Sequence, residues 1–175
     1  ASLFYTKNPY LKKGDEIIVP SVSWSTTYFP LQQYGLKLKF VDIDLNTLNY
    51  DLLELNKAIN ENTKAIMAVN LLGNSNDFDE IFKIINQRKI IVIEDNCESM
   101  GAKYKGKFTG TFGLMGTFSS FFSHHIATME GGVIVTDDEE LYHVLLCLRA
   151  HGWSRNLPNK NHILNKSEDW FEESF

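Results

Sequence analysis

Apolar positions along this chain recur with two periods, and the switches between them mark out an ordered series of elements. Asn8-Pro9 signals a turn, and Lys12-Lys13-Gly14-Asp15 leads into Glu16-Ile17-Ile18-Val19-Pro20. That run is short and β-branched and is closed by a proline, so it predicts a buried strand. Residues 25–34 suit a helix ending at Gly35, and residues 36–41 suit the next strand, with Asp42 and Asp44 at its end. Asp51 with Glu54 has the spacing of a helix start, followed by Leu52, Leu55 and Ile59 on one face. Residues 65–69 predict a third strand, running into the loop 70–76. Asp77 with Glu80 repeats the start signal. Phe78, Ile81, Phe82 and Ile85 then fall at the spacing of an amphipathic helix. The most apolar strand is Ile90-Ile91-Val92-Ile93-Glu94-Asp95. Residues 118–121 and 133–136 predict two more strands. Asp137 with Glu140 starts a last helix that turns Leu141, Val144, Leu145 and Leu148 inward and stops at Gly152. Strands alternating with helices, the strands almost continuously apolar, predict an α/β fold with a mainly parallel, buried sheet. Residues 156–166, rich in Asn and Lys, read as a loop.

Composition narrows the function classes. A chain of 175 residues with 43% hydrophobic and 22% charged content suits one compact globular domain. A net charge of −5 and the absence of any long Lys/Arg run argue against a nucleic-acid surface. No apolar run approaches the roughly 20 residues that cross a bilayer, so no membrane span is expected. Cys97 and Cys147 form neither a framework nor a C-x-x-C pair, which suits a reducing cytoplasm. The chain begins without Met in what reads as the end of a helix (1–5) and stops in an aromatic-acidic stretch, as a fragment would.

In sheets of this kind ligands sit beyond the carboxyl ends of the strands. Ser23-Trp24-Ser25 follows the first strand and offers an aromatic face with two hydroxyls. The loop 70–76 follows the third. Asp95 closes an apolar strand, where it either caps the next turn or pairs with a cationic ring nitrogen. The last candidate is Ser119 together with the His124-His125 pair and the Glu130-Gly131-Gly132 step. A surface histidine pair in a loop is the plain alternative there, as a core aromatic is for Trp24 and a strand-end hydroxyl for Ser119. Adjacent imidazoles splay apart and no third ligand is spaced to help, so the pair does not read as a metal site.

Taken in order, Pro20-Ser-Val-Ser-Trp24, Val41-Asp-Ile-Asp44, Ile93-Glu-Asp95-Asn-Cys-Glu98-Ser, Gly106-Lys…Gly110-Thr-Phe-Gly113 and Ser119…Glu130-Gly-Gly132-Val-Ile-Val-Thr136 resemble the DegT/DnrJ/StrS family of nucleotide-sugar aminotransferases. The resemblance covers about residues 1–156. It implies the large domain of the aspartate aminotransferase fold (type I), with a mixed, mainly parallel sheet flanked by helices. On this reading residues 1–175 are a single, partial domain that binds pyridoxal 5'-phosphate (PLP). A phosphate-loop segment would precede it and a small domain would follow. Trp24 would stack on the cofactor ring, Asp95 would pair with the protonated ring nitrogen, and Ser119 would bind the phosphate. Glu98 would lie near the cofactor where the family usually carries Gln. Gly131 and Gly132 would let the backbone turn beneath the site.

Six residues before Glu130, where the aminotransferases carry the lysine that anchors PLP, this chain has His124. An imidazole forms no lasting covalent link to the cofactor but can act as a general base. His124-His125, Asn70-Leu-Leu-Gly73-Asn and Arg149-Ala-His-Gly-Trp153 resemble the 3-dehydratase branch of the family, which acts on nucleotide-diphosphate 4-keto-6-deoxy sugars. That branch implies a non-covalent cofactor, PLP alternating with pyridoxamine 5'-phosphate (PMP), with His124 as base; His125, beside it in the cofactor site, either orients its neighbour or meets the phosphate. The sugar would lose its C3 hydroxyl on the way to surface polysaccharide, glutamate would restore the amine form, and the full-length protein would be a homodimer. No cysteine follows Trp153, which favours the type without an iron–sulfur cluster. Two alternatives stay open at this point: a conventional nucleotide-sugar aminotransferase, and an inactive truncated domain.

Overall fold

The computed structural model describes residues 1–86 and 88–164. The chain divides into two compact units, one formed by residues 11–135 and the other by residues 1–10 with 136–175.

The larger unit is built on a six-stranded sheet. Its strands are β1 (Glu16–Pro20), β2 (Lys37–Val41), β3 (Thr63–Val69), β4 (Ile91–Asp95), β7 (Met115–Ser119) and β8 (Gly132–Val135). A separate hairpin pairs β5 (Lys103–Tyr104) with β6 (Lys107–Phe108). The sheet order is β2-β1-β3-β4-β7-β8. Every neighbouring pair is parallel except β7 with β8, so the sheet is mixed and mainly parallel as expected. The apolar runs of β1 and β3 are explained by burial on both faces. Ile18 and Ile66 join a core cluster with Leu55, Phe78 and Ile81. Their alternates Ile17, Val19 and Ala65 point the opposite way and are equally inaccessible.

The helices start where short polar side chains take up free backbone N–H groups. In α2 (Leu52–Ala58) Asp51 accepts from the N–H groups of Leu53 and Glu54 at 2.9 and 3.0 Å. In α3 (Phe78–Ile85) Asp77 accepts from the Glu80 N–H at 3.1 Å. Phe78 stacks flat on Phe112 at 4.3 Å, while Phe82, expected on the same face, remains 38% exposed. Helix α1 (Ser25–Gln33) starts at Trp24, with no side-chain cap.

In the smaller unit a 3-10 turn (Ser2–Phe4) stands where a helix end was expected. Its main element is α4 (Glu139–Arg149), and Asp138 rather than Asp137 caps it, accepting from the Leu141 N–H at 2.7 Å. The buried face differs from the expected one. Leu141, His143, Val144 and Cys147 are buried, and Leu148 is left on the outside. Tyr10 donates its hydroxyl to the same Asp138 carboxylate, and that bond, with burial, raises the phenol to about 12. Residues 156–164 form neither helix nor strand, and residues 165–166 of the expected loop lie outside the described residues, as does the aromatic-acidic end.

Candidate functional site

Because β1, β3, β4 and β7 run in parallel, the segments that follow them emerge at one edge of the sheet. A cleft of about 1140 Å³ opens there. Trp24, Asp95, Glu98, Ser119, His124 and His125 all line it, so the six residues singled out in the sequence are brought together. Among the described residues, no lysine or arginine lines it.

Each wall follows from local sequence. Trp24 sits at the start of α1 and leaves 70% of its surface exposed, an aromatic face with no partner ring among the described residues. Asp95 ends β4 and is half-buried. Its Oδ1 accepts from the Cys97 N–H at 3.1 Å, so the turn-capping alternative is realised. Its Oδ2 accepts from the Thr27 hydroxyl at 2.8 Å, and Ser23 Oγ stands 2.8 Å from Thr27 Oγ1. Cys97, half-buried and beside that carboxylate, has its thiol pushed up to about 12 by partial desolvation and the neighbouring charge, and is a neutral wall. Glu98 accepts from the Leu72 N–H at 3.2 Å, which ties the 3-10 turn Leu71–Gly73 to the cleft; Leu72 there has φ of 52°.

The histidine segment is held by β7 and β8. Ser119 Oγ accepts from the Phe121 N–H at 3.1 Å, which leaves its own proton to donate. The His124 N–H donates to the Phe121 carbonyl at 3.0 Å, and the Phe121 ring meets the imidazole edge-on at 6.3 Å between centroids. His124 Nδ1 is enclosed and has no hydrogen-bond partner among the described residues, while His125 is exposed. Ser120 and Thr128 close the loop, their hydroxyls 2.8 Å apart. Gly131 is needed beside them, since a Cβ there would come within 2.4 Å of Ser120 Oγ.

Behind the cleft lies a carboxylate that the sequence reading passed over. Glu94 is wholly buried and accepts from the N–H groups of Gly110, Phe112 and Gly113 at 2.5, 2.6 and 2.7 Å. Gly110, at φ +89°, lets the turn wrap this side chain. Thr27 was also missed. Its one signal is its place a single helical turn after Trp24.

The profile of the DegT/DnrJ/EryC1/StrS aminotransferase family matches residues 3–166. The GDP-4-keto-6-deoxy-D-mannose 3-dehydratase of Escherichia coli O55:H7 is 72% identical over all of this chain, which spans 45% of that protein. The enzyme of the same name from Yersinia pseudotuberculosis is 71% identical over the same shares. A solved structure of the Escherichia coli dehydratase with bound hydrated PLP superposes with a TM-score of 0.94 at 72% identity, over 99% of this chain and 45% of that one. The chain thus spans about half the length of the relatives it matches.

Proposed function

This chain belongs to the DegT/DnrJ/EryC1/StrS aminotransferase family, and we propose that its protein is a PLP/PMP-dependent 3-dehydratase of a GDP-linked 4-keto-6-deoxyhexose, with His124 as the base. The observation that carries this reading is an imidazole, and no lysine, among the described residues lining the cleft that holds Asp95 and Trp24.

The donor set fits the cofactor. Trp24 offers a free aromatic face for a flat ring, and Asp95 offers a carboxylate for a cationic ring nitrogen. Ser119 keeps a hydroxyl proton for an anion, and His125 stands exposed at the same wall. Glu98 adds a second carboxylate, tied to the Leu72 turn. When bound, the cofactor supplies an electron sink at the sugar carbon next to the one losing its hydroxyl. The chain's own residues do the rest. Asp95 holds a proton on the ring nitrogen, and Trp24 fixes the ring plane. His124 takes a proton at Nε2, the nitrogen left to it because Nδ1 is enclosed, and returns it to the departing hydroxyl. Overall the sugar loses one oxygen, while glutamate becomes its 2-oxo acid and releases ammonia.

The same reading makes these residues part of a PLP-binding large domain in a cytoplasmic enzyme of surface-polysaccharide synthesis. The exposed Phe122, Ile126 and Met129 near the cleft support a homodimer with the site at its interface. Among the described residues no helix is long and apolar enough to cross a membrane.

Replacing His124 with Asn in the full-length protein tests the base. Dehydration is expected to fall by at least about a hundredfold while PMP still binds. Turnover near the parent rate would overturn the assignment.

A further inference from the structure

Resting on the cofactor reading above, we infer that Thr27 is a positioning residue, the terminal donor of a hydroxyl relay from Ser23 that pins the Asp95 carboxylate in the plane it presents to the cleft. Thr27 is 6% exposed and lies in the first turn of α1, its N–H bonded to the Trp24 carbonyl at 3.0 Å. The direction of the relay follows from proton counting. An ionised carboxylate has nothing to donate, so the 2.8 Å contact is the Thr27 hydroxyl giving its only proton to Asp95 Oδ2. Thr27 Oγ1 can then only accept from Ser23, 2.8 Å away. Each hydroxyl polarises the next toward the carboxylate.

The second donor comes from a different part of the chain. Cys97, just past β4, gives its N–H to Oδ1. One donor on each oxygen, from two separate segments, fixes rotation about the Cβ–Cγ bond. Trp24 and Thr27 share the first turn of α1, so a single rigid unit carries the exposed aromatic face and the pin on the carboxylate.

Titrating PMP into full-length protein, followed by absorbance and by the nitrogen NMR resonance of the pyridine ring, tests this. Thr27→Val keeps the shape and loses the donor. Its affinity for PMP is expected to fall on the order of tenfold, with a displaced resonance. Thr27→Ser keeps the donor and is expected to restore both. Ser23→Ala, which leaves Thr27 packed in place, is expected to weaken binding by about threefold. Parent-like affinity and resonance in Thr27→Val, or equal losses in Val and Ser, would overturn the inference. If Thr27→Val does not fold, parent-like behaviour of Ser23→Ala would overturn it instead. Asp95→Asn separates the two levels of the argument. Its binding is expected to be weaker than that of either hydroxyl variant, and parent-like binding there would overturn the cofactor reading itself.

Discussion

Glu94 and Asp95 are neighbours on one strand and live in opposite surroundings. Glu94 faces inward, is wholly buried, and receives three backbone N–H groups from the 110–113 turn. Asp95 faces the cleft, is half-buried, and takes the Thr27 hydroxyl on one oxygen and the Cys97 N–H on the other. Around Glu94 the chain closes tightly: Phe112 stacks on Phe78, and a Cβ at Gly113 would come within 2.4 Å of the Val92 carbonyl. Around Asp95 the surfaces stay open, with Trp24 uncovered and His124 Nδ1 unpartnered. On the proposed cofactor reading, the difference separates a carboxylate that builds the fold from one kept for a ligand. A buried polar group that is fully paired rigidifies its surroundings, whereas incomplete pairing in a cleft marks a place where something else completes it.

That contrast can be broken by mutation. The largest stability effect is expected at Glu94. Glu94→Ala strands three N–H groups, that of Gly110 buried and those of Phe112 and Gly113 half-buried, and should cost about 3 kcal/mol in urea denaturation. A loss below about 1 kcal/mol would show that the turn does not depend on this side chain. A middle case is Asp77, which caps α3 and accepts from the Tyr104 hydroxyl at 2.6 Å. That hydroxyl holds the carboxyl below its ordinary range, against burial, which pulls it up. A depressed folded value stabilises the protein above the unfolded pKa of about 4, and the contribution fades as pH falls through the folded value. Asp77→Ala should therefore cost about 1 kcal/mol at neutral pH and progressively less in acid. A pH-independent loss would remove the carboxylate from the explanation. The smallest stability effect is expected in His124→Asn, since an enclosed nitrogen without a partner contributes little to the fold. Its melting should match the parent within about 0.5 kcal/mol, and a loss as large as that of Glu94→Ala would make His124 a structural residue.

Much of the fold was legible because local signals and tertiary demands agree. The run from Glu16 to Pro20 is a strand over those same residues, and Asp51 and Asp77 cap the helices they announce. The signals failed where distant chain decides. Strand β7 begins at Met115, three residues earlier than its apolar run suggests, because its pairing with β4 starts at Ile93 with Met115. The β5–β6 hairpin turns on Lys105 and Gly106 at positive φ, and its alternating lysines and aromatics carry no burial pattern to read. At the site, the edge of a parallel sheet makes the convergence of Trp24, Asp95, Ser119 and His124 readable from order alone. The supporting bonds were not readable. Thr27 reaches Asp95 across 68 positions, and Glu94 reaches its turn across 16 to 19, separations that no local pattern encodes.

The central claim is that the cleft removes an oxygen from a sugar and does not leave nitrogen on it. Full-length protein incubated with PMP, glutamate and GDP-4-keto-6-deoxymannose, with the products weighed by mass spectrometry, tests it most directly. The expected product is a nucleotide sugar one oxygen lighter than the substrate, with ammonia released. A stable aminated sugar in its place would contradict the claim.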